Sequence, residues 1–401
     1  MKMKKMTAVI ASLCMMGAVV PFTETALPEQ NVLTASAEEQ TYQFSDNVTI
    51  NYTVEADDTV TITSVLMSMW VNLAENETHL ELPKNISGHR VTKIGDSAFV
   101  PSQHTVISVT LPSGVTNIGK AAFRGCDTLE TVVLPDNLTE IGDEAFLNDS
   151  KLTDITLPAN LQTIGESAFK SCTSLTSVEL PQSLQSIGAS AFDKCGLTSV
   201  TVPGSIKRIE ELAFGDCKDL KSVVLEEGVE VITTSAFKGI LSAATFDFVS
   251  LPETLTTIEP NAFSTVTMES LVIPKSVTTV GFQAFSSSTL KEVYILNPEC
   301  DFSSTSFPNC TTTIYGYKGS TAEEVASQNS RLNFVAFGDA DSSGKVDILD
   351  VITMNKAILG KESLSEEQLK VVDFNRNGKP ESSETLSLMK YIVGIDSFLM
   401  E

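Results

Sequence analysis

The stretch that decides the fold is residues 157–169, LPANLQTIGESAF, which continues through Cys172, Leu175 and Val178 to a second Leu-Pro pair at Leu180. The same order of Leu-Pro, Ile-Gly and Ala-Phe returns every 22 to 26 residues through the middle of the chain. A short unit with one apolar face cannot fold alone, but stacked units bury a continuous core. The repeated phenylalanines are Phe99, Phe123, Phe146, Phe169, Phe192, Phe214, Phe237, Phe263 and Phe285, with Ser306-Phe307 as a degenerate further copy. The array therefore predicts a β-rich solenoid of about ten rungs.

Within each unit, the pattern Leu-x-x-Val-x-Leu predicts a strand that ends at Pro, because Pro has no N–H to donate to a ladder. Ile-Gly predicts a second short extended piece, and Ala-Phe a tight turn that points Phe inward. This frame resembles the BspA-like leucine-rich repeats of bacterial surface and secreted proteins, over residues 82–315. It departs from that pattern at Leu225-Glu226, where Pro is missing, and in the 26-residue repeat after Phe237.

Two caps are expected to shield the ends of the array. Residues 38–81 predict an N-terminal β cap, with a hairpin formed by Val48–Val54 and Thr59–Val65. Residues 316–337 predict a C-terminal cap and linker.

The cysteines follow the repeat, because Cys126, Cys172, Cys195, Cys217 and Cys310 each lie three residues after a repeat phenylalanine. Stacked in register, they predict a buried column of small apolar side chains. One cysteine per rung without a CxxC pair argues against a metal or redox site. A disulfide between cysteines of adjacent rungs is an alternative that the sequence does not decide. Cys300 lies outside the register of the repeat and is expected to be free or paired with Cys310.

The last part of the chain repeats one twelve-residue pattern, with oxygen-bearing side chains at positions 1, 3, 5, 9 and 12 and Gly at position 6. Calcium takes six to eight oxygen ligands, and such a loop wraps it when Gly makes the sharp turn and a carboxylate closes the shell at position 12. The predicted metal residues, position 7 included, are Asp339, Asp341, Ser343, Lys345, Asp347 and Asp350 in the first loop, and Asp373, Asn375, Asn377, Lys379, Glu381 and Glu384 in the second. Two calcium ions are therefore expected.

Each loop is followed by an apolar helical run, and a short helix with a capping box at Ser365 and Gln368 enters the second loop. The residues before the first loop, 331–337, predict a strand or linker instead of an entering helix. This duplication resembles the dockerin family, over residues 338–401. The resemblance implies a small all-α calcium-binding domain that binds a cohesin domain of a scaffolding protein, as in cellulosomes. A structural Asp/Asn-rich turn and a full EF-hand calcium sensor are the alternatives.

The two loops differ in ligands and in surface. The first offers four carboxylates and the second three, and position 8 is Val346 in the first loop but Pro380, which has no N–H, in the second. The second calcium site is therefore expected to be the weaker one. The resemblance places cohesin contacts at Ile348, Leu349 and Lys356 on one side and at Ser382, Ser383 and Lys390 on the other. Alternatively, Ile348 and Leu349 pack in the small core.

The N-terminus predicts the compartment. Three lysines precede an apolar run over residues 6–22, and Ala35-Ser36-Ala37 offers a cleavage site, which is typical of a secretory signal peptide over residues 1–37. We expect a secreted, extracellular protein that is held at the cell surface through a scaffold. The net charge of −24 disfavours nucleic acid as a partner, and no other apolar segment is long enough for membrane insertion.

No catalytic constellation emerges, because the three histidines, His79, His89 and His104, all fall at the N-terminal edge of the array. The outward strand positions are rich in Ser and Thr, and only Phe248 and Tyr294 offer aromatic rings to a ligand. The expected function is a secreted non-catalytic repeat protein whose solenoid presents a protein- or polymer-binding surface. The alternatives are an adhesion module for plant cell-wall polysaccharide and an unrecognised polysaccharide-active enzyme.

Overall fold

A computed structural model of the chain describes residues 38–68, 75–240, 248–302, 304–307, 311–374 and 377–395, with the backbone alone at residues 75, 76, 101, 248, 249 and 304. The predicted signal peptide, Cys310 and Asn375 lie outside these described residues. Residues 38–401 form one unit.

The N-terminal cap begins with an antiparallel sheet, and this sheet continues into the first parallel ladder of the coil. The strands of the cap are β1 (Gln40–Gln43), β2 (Val48–Val54) and β3 (Thr59–Met67). The predicted hairpin is thus confirmed as β2 and β3, which alternate buried and half-buried residues as one face packs on the core.

The solenoid has strands on two of its sides, and within each sheet a strand pairs in parallel with the strand one repeat later. Both sides are interrupted: on the longer side the rung of Asp154 has only an isolated bridge to Thr131, and the rung of Val178, which is described throughout, has no strand. The longer strands form a surface that we call the long-strand face; they are β4 (His79–Glu81), β7 (Ser108–Thr110), β9 (Thr131–Val133), β13 (Ser199–Val202), β15 (Ser222–Leu225), β17 (Phe248–Ser250), β19 (Ser270–Ile273), β21 (Glu292–Ile295), β22 (Thr312–Gly316) and β23 (Leu332–Ala336). The Ile-Gly segments form the short-strand ladder; they are β6 (His89–Ile94), β8 (Asn117–Ile118), β10 (Glu140–Ile141), β11 (Thr163–Ile164), β12 (Ser186–Ile187), β14 (Arg208–Ile209), β16 (Val231–Ile232), β18 (Thr257–Ile258) and β20 (Thr279–Val280), with β5 (Asn85–Ile86) paired to β6.

The core is a stack of phenylalanine rings, one per rung, as the repeat predicts. The rings of Phe146 and Phe169 lie 5.1 Å apart at an interplanar angle of 5°. Phe307 stacks on Phe285 at 5.1 Å, which confirms the degenerate tenth copy. All ten rings are almost completely buried. Each of the eight inner rings is therefore packed between a ring above and a ring below.

The predicted thiol column is confirmed over the described rungs, where the cysteines are buried and free. The thiol of Cys172 donates to the carbonyl of Phe146 at 3.1 Å, and Cys195 repeats this contact one rung later, to Phe169 at 3.0 Å. Burial raises the pKa of the Cys195 thiol, which keeps it protonated. Cys300 is also a buried free thiol. These thiols are packing groups that satisfy backbone carbonyls.

The Ala-Phe turns form a third hydrogen-bonded side of the coil. The residue two positions before each of the nine phenylalanines from Phe99 to Phe285 has a positive φ, for example 54° at Ala121 and 56° at Glu144. The N–H groups of Ala121 and Phe123 each donate across to the next rung at 2.7 Å, the latter to Ala145. The regular ladder offsets the cost of left-handed backbone at residues other than glycine.

Most of the described helices lie in the C-terminal part of the chain, and the first one lies in the N-terminal cap. They are α1 (Glu75–Thr78), α2 (Thr321–Ser327), α3 (Ile348–Ile358), α4 (Glu366–Val372) and α5 (Ser382–Ile392), besides 3-10 turns at Val100–Ser102 and Ser304–Ser306. The strand expected before the first loop is β23, and residues 331–338, all of them described, contain no helix that enters that loop. The capping box of α4 is confirmed, because Ser365 Oγ accepts from the Gln368 N–H at 3.2 Å and Gln368 Oε1 accepts from the Ser365 N–H at 2.9 Å. Among the described helices, none has the length and apolar character needed to cross a bilayer.

Candidate metal centre

The first loop gathers three of its predicted ligands. Asp339, Asp341 and Asp350 each place a carboxylate oxygen within 4.8 Å of the others. Asp339 and Asp350 are buried, and Asp341 is partly buried. A cluster of buried carboxylates is costly unless a cation neutralises it.

The backbone of the first loop is folded around Asp339. Its Oδ1 accepts from the Ser343 N–H and its Oδ2 from the Gly344 N–H, both at 2.9 Å. Gly344 has φ +80°, a conformation that only glycine adopts without strain. This is the sharp turn that a twelve-residue calcium loop requires at position 6.

Asp350 closes the loop from the first turn of α3. Its Oδ1 accepts from the Asp341 N–H at 3.1 Å and its Oδ2 from the Asp347 N–H at 2.8 Å. Burial, with the charges of Asp341 and Asp339 beside it, raises the pKa of Asp350 to about 6. A hard divalent cation bound by oxygens would relieve both penalties, so the residues of this loop fit calcium.

Two further predicted ligands of the first loop contact the backbone. Asp347 caps α3, with Oδ1 accepting from the Leu349 N–H at 2.8 Å. The Ser343 hydroxyl accepts from the Lys345 N–H at 3.3 Å. The Lys345 side chain is exposed, so this residue can offer a metal only its carbonyl.

The second loop repeats the fold of the first with fewer carboxylates at its centre. Asp373 accepts from the N–H groups of Asn377 and Gly378 at 3.0 and 2.7 Å, and Gly378 has φ +86°. Lys379 Nζ lies 3.4 Å from Glu381 Oε1, where it competes with a metal for that carboxylate. Within the described residues, the second loop forms no cluster of three converging carboxylates like that of the first.

The predicted partner residues lie at the surface of the helices that leave the loops. Ile348 and Leu349 are 55% and 54% exposed, so the alternative that they pack in the small core is wrong. Ser382 and Ser383 are exposed at the matching positions of α5. Lys356 is exposed on α3, and Lys390 is partly exposed on α5. The exposed apolar residues of this region also include Ile352, Leu359, Leu386, Met389, Val393 and Ile395.

Comparison with known families agrees with both halves of this architecture. The BspA type leucine-rich repeat region matches residues 92–221 and 185–314, in 6 copies. The chain belongs to the BspA-type leucine-rich-repeat family. A dockerin type I domain matches residues 337–393 of this BspA-type protein. That domain implies binding to a cohesin domain, and dockerin type I domains generally bind calcium. Repeat arrays and dockerins are both non-catalytic modules.

Solved structures of leucine-rich-repeat proteins resemble this chain. One from T. pallidum is 35% identical, with 44% of this chain and 80% of that one covered and a TM-score of 0.40. One from Bacteroides ovatus is 24% identical, with 68% and 71% covered and a TM-score of 0.48. A leucine-rich cell surface protein from Faecalibacterium prausnitzii is 20% identical, with 84% and 98% covered and a TM-score of 0.39. No curated protein matches the chain.

Sequence reasoning missed one feature of this region. Tyr294, expected as an outward ring on the long-strand face, is 8% exposed, and its ring stacks on Tyr315 at 4.5 Å. Apolar residues of α4 and α5 pack in the same cluster. The signal was present in the sequence, because the last four strands carry an apolar residue in one outward column, whereas the earlier valines of that column, Val133 and Val224, are each flanked within it by polar residues.

Proposed function

We propose that this protein is a secreted, non-catalytic repeat protein that is anchored to a scaffolding protein by calcium-dependent binding of its dockerin to a cohesin. In this proposal the N-terminal cap spans residues 38–81, the repeats 82–315, the C-terminal cap and linker 316–337, and the dockerin 338–401. Two calcium ions bind, one in each loop, and the first loop has the higher affinity. The solenoid presents a surface to a protein or polymer partner.

The observation that carries the proposal is the position of Ile348 and Leu349 between two loop residues. Asp347 caps α3 directly before them, and Asp350 closes the acidic cluster directly after them. A cation that orders this cluster therefore also fixes the first turn of α3. Exposed apolar side chains in a fixed geometry are typical anchors of protein interfaces. Calcium binding and cohesin binding are thus linked through four consecutive residues.

The long-strand face supports a protein or polymer partner more than a stacked sugar. Its outward residues, such as Thr156 and Thr201, are exposed and small. Tyr294 is covered by the dockerin, and the Phe248 side chain lies outside the described residues. Adhesion to plant cell-wall polysaccharide therefore lacks the aromatic platform that Tyr294 was expected to supply.

The test is binding of the full chain to a panel of cohesin domains by calorimetry, with calcium and with a chelator. We expect binding to at least one cohesin in calcium and none in chelator. Far-UV circular dichroism of the same samples should show helical content falling on chelation, since metal binding supplies folding energy where ligands converge. Equal cohesin affinity with and without calcium would contradict the proposal. Release of reducing sugars from polysaccharide would instead support the enzyme alternative.

A further inference from the structure

The long-strand face ends in an apolar strip. Val272, Tyr294, Tyr315 and Val335 are directly paired along β19, β21, β22 and β23. Earlier outward positions of the same column are mostly polar, such as the exposed Thr156, and the valines among them, Val133 and Val224, are each flanked within the column by polar residues. Tyr294 and Tyr315 are only 8% and 2% exposed, and their rings stack at an interplanar angle of 8°. The strip is therefore a covered surface within this chain.

The helices of the dockerin cover the strip. Both tyrosines share one buried cluster with residues of all three dockerin helices, which are Val351, Met354, Val371, Val372 and Leu388. At the junction of the two parts, the Phe337 N–H donates to the Gly316 carbonyl of the solenoid cap at 2.7 Å, and the N–H of the next residue, Gly338, donates to the Val371 carbonyl of α4 at 2.8 Å. The dockerin and the last rungs thus have a common core.

A polar network fixes α4 on the strip. Lys370 Nζ donates to Glu292 Oε1 of β21 at 2.6 Å and to Glu367 Oε1 at 2.9 Å. The Tyr315 hydroxyl donates to Glu367 Oε2 at 3.1 Å. Burial opposes the charge of Lys370, but its hydrogen bonds to Glu292 and Glu367 prevail and raise its pKa above the usual range. Partly buried charge pairs of this kind determine which surfaces fit together.

The first calcium loop is connected to the same contact at two points. Gln368 Nε2 of α4 donates to the Ala340 carbonyl at 2.6 Å. Lys318 Nζ, from the turn after β22, donates to the Gly344 carbonyl at 3.1 Å. Loop positions 2 and 6 therefore contact α4 and the solenoid cap directly.

From these contacts we propose that the strip is an intramolecular docking surface for the dockerin, and that calcium in the first loop stabilises the last rungs of the solenoid. The inference rests on the proposed function for its calcium ion. Opening of residues 312–336 exposes the strip and removes partners of the first loop, so the loop binds calcium more weakly when these rungs open. By linkage, bound calcium then holds the rungs closed.

Hydrogen exchange of the full chain, followed by mass spectrometry, tests this coupling. Calcium at about 100 times its Kd is expected to slow exchange within residues 312–336 by up to about a hundred-fold, the limit for a segment that opens only from the calcium-free state. Residues 163–187, in the middle of the array, serve as the internal reference and should exchange at the same rate with and without calcium.

Variants locate the coupling. In Lys370→Met and in Tyr315→Phe, each of which removes bonds of the network, calcium should still slow exchange in residues 339–350 but lose its effect on residues 312–336. Lys361→Met, at an exposed position after α3, should behave like the unmodified chain. A calcium effect confined to residues 339–350 in the unmodified chain would overturn the coupling and leave the calcium site intact. No calcium effect on residues 339–350 would remove the proposed calcium site itself, and the coupling with it.

Discussion

Asp350 and Glu384, the last residues of the two loops, each accept a hydrogen bond from the backbone N–H at position 9 of their own loop. They do so although the Glu384 side chain is longer by one methylene. Asp350 Oδ2 accepts from Asp347 at 2.8 Å, and Glu384 Oε2 accepts from Glu381 at 2.9 Å. Asp350 Oδ1 also accepts from the Asp341 N–H at position 3 of its loop, and Glu384 Oε1 accepts from the Phe374 N–H at position 2 of its loop. The two loops therefore have one closing contact in common.

The first prediction ranks the loops. Asp350→Ala should weaken calcium binding by at least about ten-fold, and more than Glu384→Ala does, because Asp350 belongs to the cluster of three carboxylates. Calorimetric titration of both variants measures the ranking. Lys345→Ala is the control and should keep the affinity, since position 7 contributes its carbonyl. A greater loss from Glu384→Ala contradicts the ranking.

The second prediction concerns cohesin orientation. Changing both Ile348 and Leu349 to Asp should weaken cohesin binding by roughly thirty-fold or more, as expected when interface anchors are lost. Changing Ser382 and Ser383 to Asp should have a much smaller effect, because these positions differ from the first pair in polarity. Val133→Asp, at a 57% exposed apolar position of the solenoid, is the control. Near-native affinity of both double variants, with loss only in the quadruple variant, would show two interchangeable faces.

The third prediction concerns the ring stack. Phe169→Ala should lower the stability of the solenoid by about 3–5 kcal/mol, through lost apolar burial and the cavity left between Phe146 and Phe192. Scanning calorimetry of the full chain measures this change. Phe282→Ala, at a 54% exposed phenylalanine, should change little. Calcium affinity should stay unchanged, because repeat arrays pass damage mainly to adjacent rungs. A matching loss of calcium affinity would show coupling along the whole array.

Sequence patterns predicted the structural features that repeat along the chain and missed features that depend on the surroundings of single residues. The Phe stack and the two loops follow from residue spacing, because a fixed period dictates register. The left-handed backbone at Glu144 and Gln283 was not predictable from residue type, since neither prefers that conformation. It is imposed by the hydrogen bonds between rungs. The burial of Tyr294 was missed for a related reason, because strand alternation places a side chain outward but does not show which other domain covers it.

Asp149 is a second residue whose burial the sequence did not predict. It occupies the position that cysteine holds on the rungs of Cys126 and Cys172, and its side chain is completely buried. Its Oδ1 accepts from the Cys126 N–H at 2.8 Å, whereas its Oδ2 has no partner among the described residues. Burial raises the pKa of Asp149 to about 9, although hydrogen bonds from the backbone partly oppose the shift.

The last prediction is that Asp149→Asn stabilises the protein, and increasingly so as pH rises from about 5 to about 8. The folded chain keeps a proton on Asp149 up to about pH 9, whereas the unfolded chain loses it near the ordinary value of 3.8. Between these values the wild type loses stability with rising pH, by at most about 1.4 kcal/mol per unit. The asparagine side chain of the variant is neutral in the folded and in the unfolded chain, so the variant does not lose stability in this way as pH rises. Urea unfolding of the wild type and of Asp149→Asn, at several pH values and constant calcium, measures the difference in their free energies of unfolding. Asp154→Asn, at an exposed position of the long-strand face, is the control. A difference that stays constant or shrinks with pH would mean that Asp149 is ionised in the folded protein, and that water or a cation reaches its free oxygen.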